Sequence, residues 1–197
     1  MKKVIILLMA LIISFSVCSC SNEKSDDSLP KSTQNTEDKK DAEVKETGKK
    51  EDDNIGAENA LESAKSYLSF MPFSYKGLIS QLEYEGYTTE EATHAADNCG
   101  ADWNKQALNN AKNYLESMAF SYKGLINQLE YEGYTNEEAT YAAENCSADW
   151  NEQAAKKAAD YLDLEDTSFS EEKLIEQLEF EGFTYEQAVY GAKECGY

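Results

Sequence analysis

The residues of this chain that could do chemistry are five cysteines, one histidine and 38 carboxylates. Cys99, Cys146 and Cys195 fall at one register of a repeated pattern, one thiol per copy. Exported proteins with several cysteines invite a disulfide reading. Equivalent positions of a repeat array, however, lie beyond the roughly 7 Å between Cα atoms that a disulfide spans. The three thiols therefore read as small buried hydrophobes. Metal binding by them lacks any CxxC pair or adjacent histidine. His94 is the only histidine, and Tyr141 and Tyr190 replace it in the other copies. That rules against a histidine-based nucleophile or metal site and makes position 94 a surface one. Glu83/Glu85 and Glu90/Glu91 are the residue types for acid–base work or calcium, yet no Asp-x-Asp-x-Asp-Gly loop is present. Carboxylates in a first helical turn complement the helix dipole and need no further role. No glycine-rich phosphate loop occurs. These residues predict no enzyme, no metal, no cofactor and no small-molecule substrate.

One constellation remains, an aromatic–acidic stretch present three times: Tyr84, Glu85 and Tyr87; Tyr131, Glu132 and Tyr134; Phe180, Glu181 and Phe183. Leu82 belongs to an apolar face, so Tyr84, two residues on, should point away from it. An exposed tyrosine between carboxylates suits a cationic helical partner, because tyrosine is favoured at interface hot spots. The other reading packs Tyr84 against the adjacent copy. The net charge of −20 favours cationic partners in general. All 18 basic residues are lysines. With no arginine and no basic patch, a nucleic-acid partner is excluded.

The elements that must position these residues repeat themselves. Residues 73–103 and 120–150 differ at five of 31 positions, at an offset of 47. A third copy follows, with two residues inserted between Tyr161 and Phe169. A fixed period of this size marks an array whose units pack on their neighbours. Each unit reads as three helices. The first carries Ala60, Ala64, Tyr67 and Leu68 on one stripe, at helical spacing. The second starts at Ser74, an N-cap, shows Leu78, Ile79 and Leu82 to the core, and stops at Gly86. The third opens on Thr88 with Glu91 three residues on, a capping box repeated at Thr135/Glu138 and Thr184/Gln187. Ala92, Ala95, Ala96 and Cys99 line its inner face. Gly100 and Gly196 suit a helix C-cap, and Ser147 suits it less well. The fold class predicted is all-α: three tandem helix-turn-helix-like three-helix repeats, at residues 57–103, 104–150 and 151–197. Trp103 and Trp150 occur only where one unit passes into the next, so each should pack at a junction.

The N-terminus points to export. Lys2 and Lys3 precede an apolar run at residues 4–17, too short to span a bilayer comfortably and typical of a signal-peptide core. The run ends in Val17-Cys18-Ser19-Cys20, which resembles a bacterial lipobox with Cys20 as the lipidated residue. Residues 1–19 are then a lipoprotein signal peptide; an uncleaved anchor or a plain signal peptide cut nearby are the rival readings. Two or more acyl chains would attach the protein stably to the outer face of the cytoplasmic membrane. Residues 20–56 hold the lipidated cysteine and a polar tract with no aromatic residue, which reads as a disordered tether. Its reach is roughly 30 Å.

The block LEYEGYTTEEATHAADNCGADW, its near-copies and the preceding AFSYKGL resemble the Ltp-type host cell surface-exposed lipoproteins. The resemblance extends over residues 57–197 and includes the lipobox and tether. It implies small lipoproteins of helix-turn-helix-like repeats, several phage-encoded and active in superinfection exclusion, which blocks incoming phage DNA at the host surface. It also implies a phage tail component, such as the tape measure protein, as partner. This chain has three units where the phage-encoded members have two. The alternative it leaves open is a chromosomal surface lipoprotein with a structural or protein-interaction role unrelated to phage.

Overall fold

The computed structural model describes residues 49–163 and 169–197, with side chains from Ile55 onward. The expected signal peptide, Cys20 and most of the expected tether lie outside the described residues, as do residues 164–168 in the segment that carries the insertion. The described residues form one compact unit. Among the described residues the secondary structure is helical throughout, in nine helices. These are α1 (Lys49–Phe70), α2 (Tyr75–Tyr84), α3 (Thr89–Asn98), α4 (Trp103–Ser117), α5 (Tyr122–Tyr131), α6 (Asn136–Asn145), α7 (Trp150–Leu162), α8 (Glu171–Phe180) and α9 (Tyr185–Glu194). None of the described helices is long and apolar enough to cross a membrane.

The helices group in threes, and the first and third of each group pack most extensively: α1 on α3, α4 on α6, α7 on α9. Alanines make this possible. Ala60, Ala64, Ala92 and Ala95 are fully buried, as are Ala107, Ala111, Ala139 and Ala142. The second helix closes each core with two fully buried leucines: Leu78 and Leu82, Leu125 and Leu129, Leu174 and Leu178. Each such leucine contributes about 1.5–3 kcal/mol. In the third repeat Gly191 replaces the alanine of the other two, and a Cβ there would lie 2.7 Å from the Ala154 carbonyl oxygen.

Local chemistry sets the helix ends. Ser74, Ser121 and Ser170 cap the second helices, and Thr88, Thr135 and Thr184 form complete capping boxes with Glu91, Glu138 and Gln187. The second helices stop in a Schellman turn. In the first, Gly86 N–H donates to Glu83 at 3.0 Å and Tyr87 N–H to Leu82 at 3.2 Å. Gly86 adopts φ 101°, a conformation that costs an L-residue its Cβ clearance.

Two boundaries differ from the sequence expectation. Helix α1 begins at Lys49, so residues 49–56 are helical and not tether. Extending a helix already held by Ala60 and Ala64 adds one hydrogen bond per residue without a new nucleation cost. Helices α4 and α7 begin at Trp103 and Trp150 behind the N-caps Asp102 and Asp149, so each tryptophan opens its repeat and does not close the previous one. The packing nevertheless runs as expected. Trp103 packs on the core of the first repeat and Trp150 on that of the second. Each meets a tyrosine edge-on, Tyr75 and Tyr122, at 5.5 Å between ring centroids.

Candidate partner-binding surface

The nine aromatic–acidic residues separate into three roles according to their place in the Schellman turn. Tyr84, Tyr131 and Phe180 are the last residues of α2, α5 and α8, and they are 81%, 74% and 86% exposed. They point away from the leucine face, and none is covered by the adjacent repeat. Large aromatic side chains this exposed, at one position of three helices, form a recurring surface feature.

Glu85, Glu132 and Glu181 are the C-caps, and their carboxylates fold back onto the first helix of the same repeat. The Tyr67 hydroxyl donates to Glu85, and the Asn110 amide to Glu132. Glu181 accepts from the Tyr161 hydroxyl at 2.5 Å and meets the Lys157 ammonium at 3.5 Å. Burial pushes the Glu132 carboxyl above the usual carboxylate range, an effect the Asn110 hydrogen bond opposes. Burial and the bond to Glu181 push the Tyr161 hydroxyl up to about 12, with a Gln177 hydrogen bond opposing the rise. These glutamates fasten the second helix to the first.

Tyr87, Tyr134 and Phe183 do not belong to the surface as expected. Tyr134 and Phe183 are 3% and 4% exposed, and Tyr87 is half-buried with its hydroxyl 3.1 Å from Ser63 Oγ. The residue after the left-handed glycine of a Schellman turn folds back against the helix it ends, here onto Leu82, Leu129 and Leu178. The candidate surface is therefore the first aromatic of each copy, with its flanking glutamates.

Of the other residues weighed for chemistry, His94 is exposed, Cys146 is buried, and Cys99 and Cys195 are half-buried. Burial raises the Cys195 thiol above its usual range, with Glu194 and Asp163 adding to the rise. Among the described residues no group of three or more His, Cys, Asp or Glu side chains could hold a metal. The concavities around Ser147 to Trp150 are open grooves, not enclosed pockets.

A second role of the N-cap serines was not legible in the sequence. The Ser74 hydroxyl caps α2, accepting from Gly77 N–H at 2.9 Å, and also donates to the Glu132 carbonyl in the next repeat at 2.6 Å. Ser121 does the same with Gly124 at 2.9 Å and Glu181 at 2.7 Å. The start of each second helix thus docks on the end of the following one. Gln153 strengthens the second junction by accepting from Phe120 N–H at 3.4 Å. The signal was in the alignment of copies: Tyr-Lys-Gly follows Ser74 and Ser121, whereas Glu-Glu-Lys follows Ser170 in the third repeat.

The model of the family described as host cell surface-exposed lipoprotein matches residues 57–99, 102–146 and 149–194, one match per repeat. The second and third matches begin at the N-caps Asp102 and Asp149, in agreement with the helix starts. No curated protein matches the chain. Among solved structures it is similar to Ltp, a superinfection exclusion protein from the Streptococcus thermophilus temperate phage TP-J34. That likeness has 36% sequence identity and a TM-score of 0.44, over 46% of this chain and 94% of the other.

Proposed function

Because the chain belongs to the host cell surface-exposed lipoproteins, we propose that it blocks incoming phage DNA at the membrane, as a superinfection exclusion protein that binds a phage tail component. Cys20 carries the lipid and holds the array at the outer face of the cytoplasmic membrane. Binding, not catalysis, is the mechanism. The observation that carries this reading is the threefold exposed aromatic at the ends of α2, α5 and α8, set beside carboxylates in a chain of net charge −20. Such a surface suits a cationic helical protein, of which the tape measure protein of a tail is the candidate that the family resemblance supplies. Three copies on one chain would add avidity toward a partner with repeated sites.

The test replaces Tyr84, Tyr131 and Phe180 together with serine in cells that carry the chain. Surface substitutions of this kind change stability by only about 0.5 kcal/mol each. Protection against phage should fall by tenfold or more, an effect of about 1.4 kcal/mol on binding, with the protein still present at the surface. Undiminished protection would remove these side chains from the mechanism.

A further inference from the structure

Each interior junction is a plug in a socket. The plug is the start of a second helix: a serine whose hydroxyl reaches the next repeat, a lysine two residues on, and a glycine three residues on. Ser74, Lys76 and Gly77 form one, and Ser121, Lys123 and Gly124 the other. The socket is the Schellman turn that ends the following second helix. A Cβ placed on Gly133 would lie 3.0 Å from Ser74 Oγ and 3.1 Å from Lys76 Cβ. On Gly182 it would lie 2.9 Å from Ser121 Oγ and 3.3 Å from Lys123 Cβ. A lysine is favourable there, because a helix C-terminus carries partial negative charge.

The described array holds three sockets and two plugs. The third socket, Glu85 and Gly86 of the first repeat, has the same turn and the same left-handed glycine, with φ 101° against 92° and 94°. Both residues are exposed, and among the described residues nothing lies within 4 Å of a Cβ built on Gly86. The far end of the array cannot fill this socket in a second copy. Ser170 is exposed and is followed by Glu171, Glu172 and Lys173, and its cap bond is stretched to 3.4 Å. Two carboxylates there would meet another acidic helix end.

We propose that the open socket at Glu85 and Gly86 is a docking site for a helix N-terminus on another protein. It would recognise a serine or threonine N-cap hydroxyl, a lysine two residues later and a glycine three residues later. Gly56 stands where the interior junctions carry tryptophan, so recognition here uses the hydroxyl, the lysine stem and the glycine without an aromatic contact. Tyr84 adjoins the socket, so one partner helix can engage both.

The probe is the array itself, residues 21–197, with the plug restored at its free end by Glu171→Tyr, Glu172→Lys and Lys173→Gly. Sedimentation velocity is measured up to about 1 mM, the effective concentration that a short covalent link provides. The unaltered array stays monomeric, and the restored one forms head-to-tail oligomers, as heterologous contacts do. Excess unaltered array shortens these oligomers, because it offers a socket and no plug. Gly86→Asn in the restored array keeps the turn and returns it to monomer. A restored array that is folded by circular dichroism yet monomeric overturns the proposal, whether the socket is closed by residues 21–48 or does not bind. Oligomers that survive Gly86→Asn overturn it too, because they must be joined elsewhere. Neither result depends on phage.

Discussion

The first-helix residue that faces the turn changes in step with the aromatic it faces. Ser63 meets the Tyr87 hydroxyl at 3.1 Å. Asn110 takes its place in the second repeat but turns its amide to Glu132, and the buried Tyr134 hydroxyl is left without a hydrogen bond of good geometry. Lys157 follows in the third repeat, where the aromatic is Phe183 and the lysine bridges to Glu181 instead. Burial and the Glu132 charge push the Tyr134 hydroxyl well above the usual tyrosine range, and the nearby Asn110 amide offsets only part of that. An unsatisfied buried hydroxyl costs about 1–3 kcal/mol. Tyr134→Phe should therefore leave stability unchanged or raise it by up to about 1 kcal/mol, whereas Tyr87→Phe should lower it by about 1 kcal/mol. Urea unfolding of the two variants checks this, and equal losses would contradict it. At this scale the exposure of Tyr84 was legible, because it follows from helical periodicity after Leu82. The burial of Tyr134 and Phe183 was not, because it depends on the Schellman turn folding its last residue back.

Helix ends are where this family of repeats is most explicit, and also where one copy is strained. The capping boxes at Thr88, Thr135 and Thr184 and the stops at Gly86, Gly133 and Gly182 could all be read directly, since the N-cap hydroxyl and the left-handed glycine are demands of local geometry. Helix α1 hid its true start, because residues 49–56 carry no apolar stripe and extend a helix that packing further along has nucleated. Ser147 adopts φ 62° at the position where Gly100 has φ 75° and Gly196 follows α9 with φ 100°. The left-handed conformation costs a residue with a Cβ about 1–2 kcal/mol. Ser147→Gly should stabilise the array by about 1 kcal/mol, after allowing for the freer unfolded chain. A thermal midpoint that stays put or falls would contradict the assignment of strain.

At the scale of the whole molecule, the array is one chain of three small cores joined by tryptophans and serine plugs. A unit of about 45 residues is close to the lower size for independent folding, so the junctions contribute to stability as well as to order. The tryptophan half of each junction was legible, because an aromatic confined to unit boundaries has few other uses. The serine half was not, since Ser74 looks like an ordinary N-cap until α2 is seen to dock on the end of α5. The proposed function depends at this scale on where the array is held. The most direct measurement follows phage adsorption and phage DNA delivery separately in cells carrying either the unaltered chain or Cys20→Ala. With the unaltered chain, adsorption stays normal and delivery falls sharply; with Cys20→Ala, delivery recovers. Delivery that is unchanged across a broad phage panel, or equal protection from a Cys20→Ala chain retained in the cytoplasm, would contradict the account.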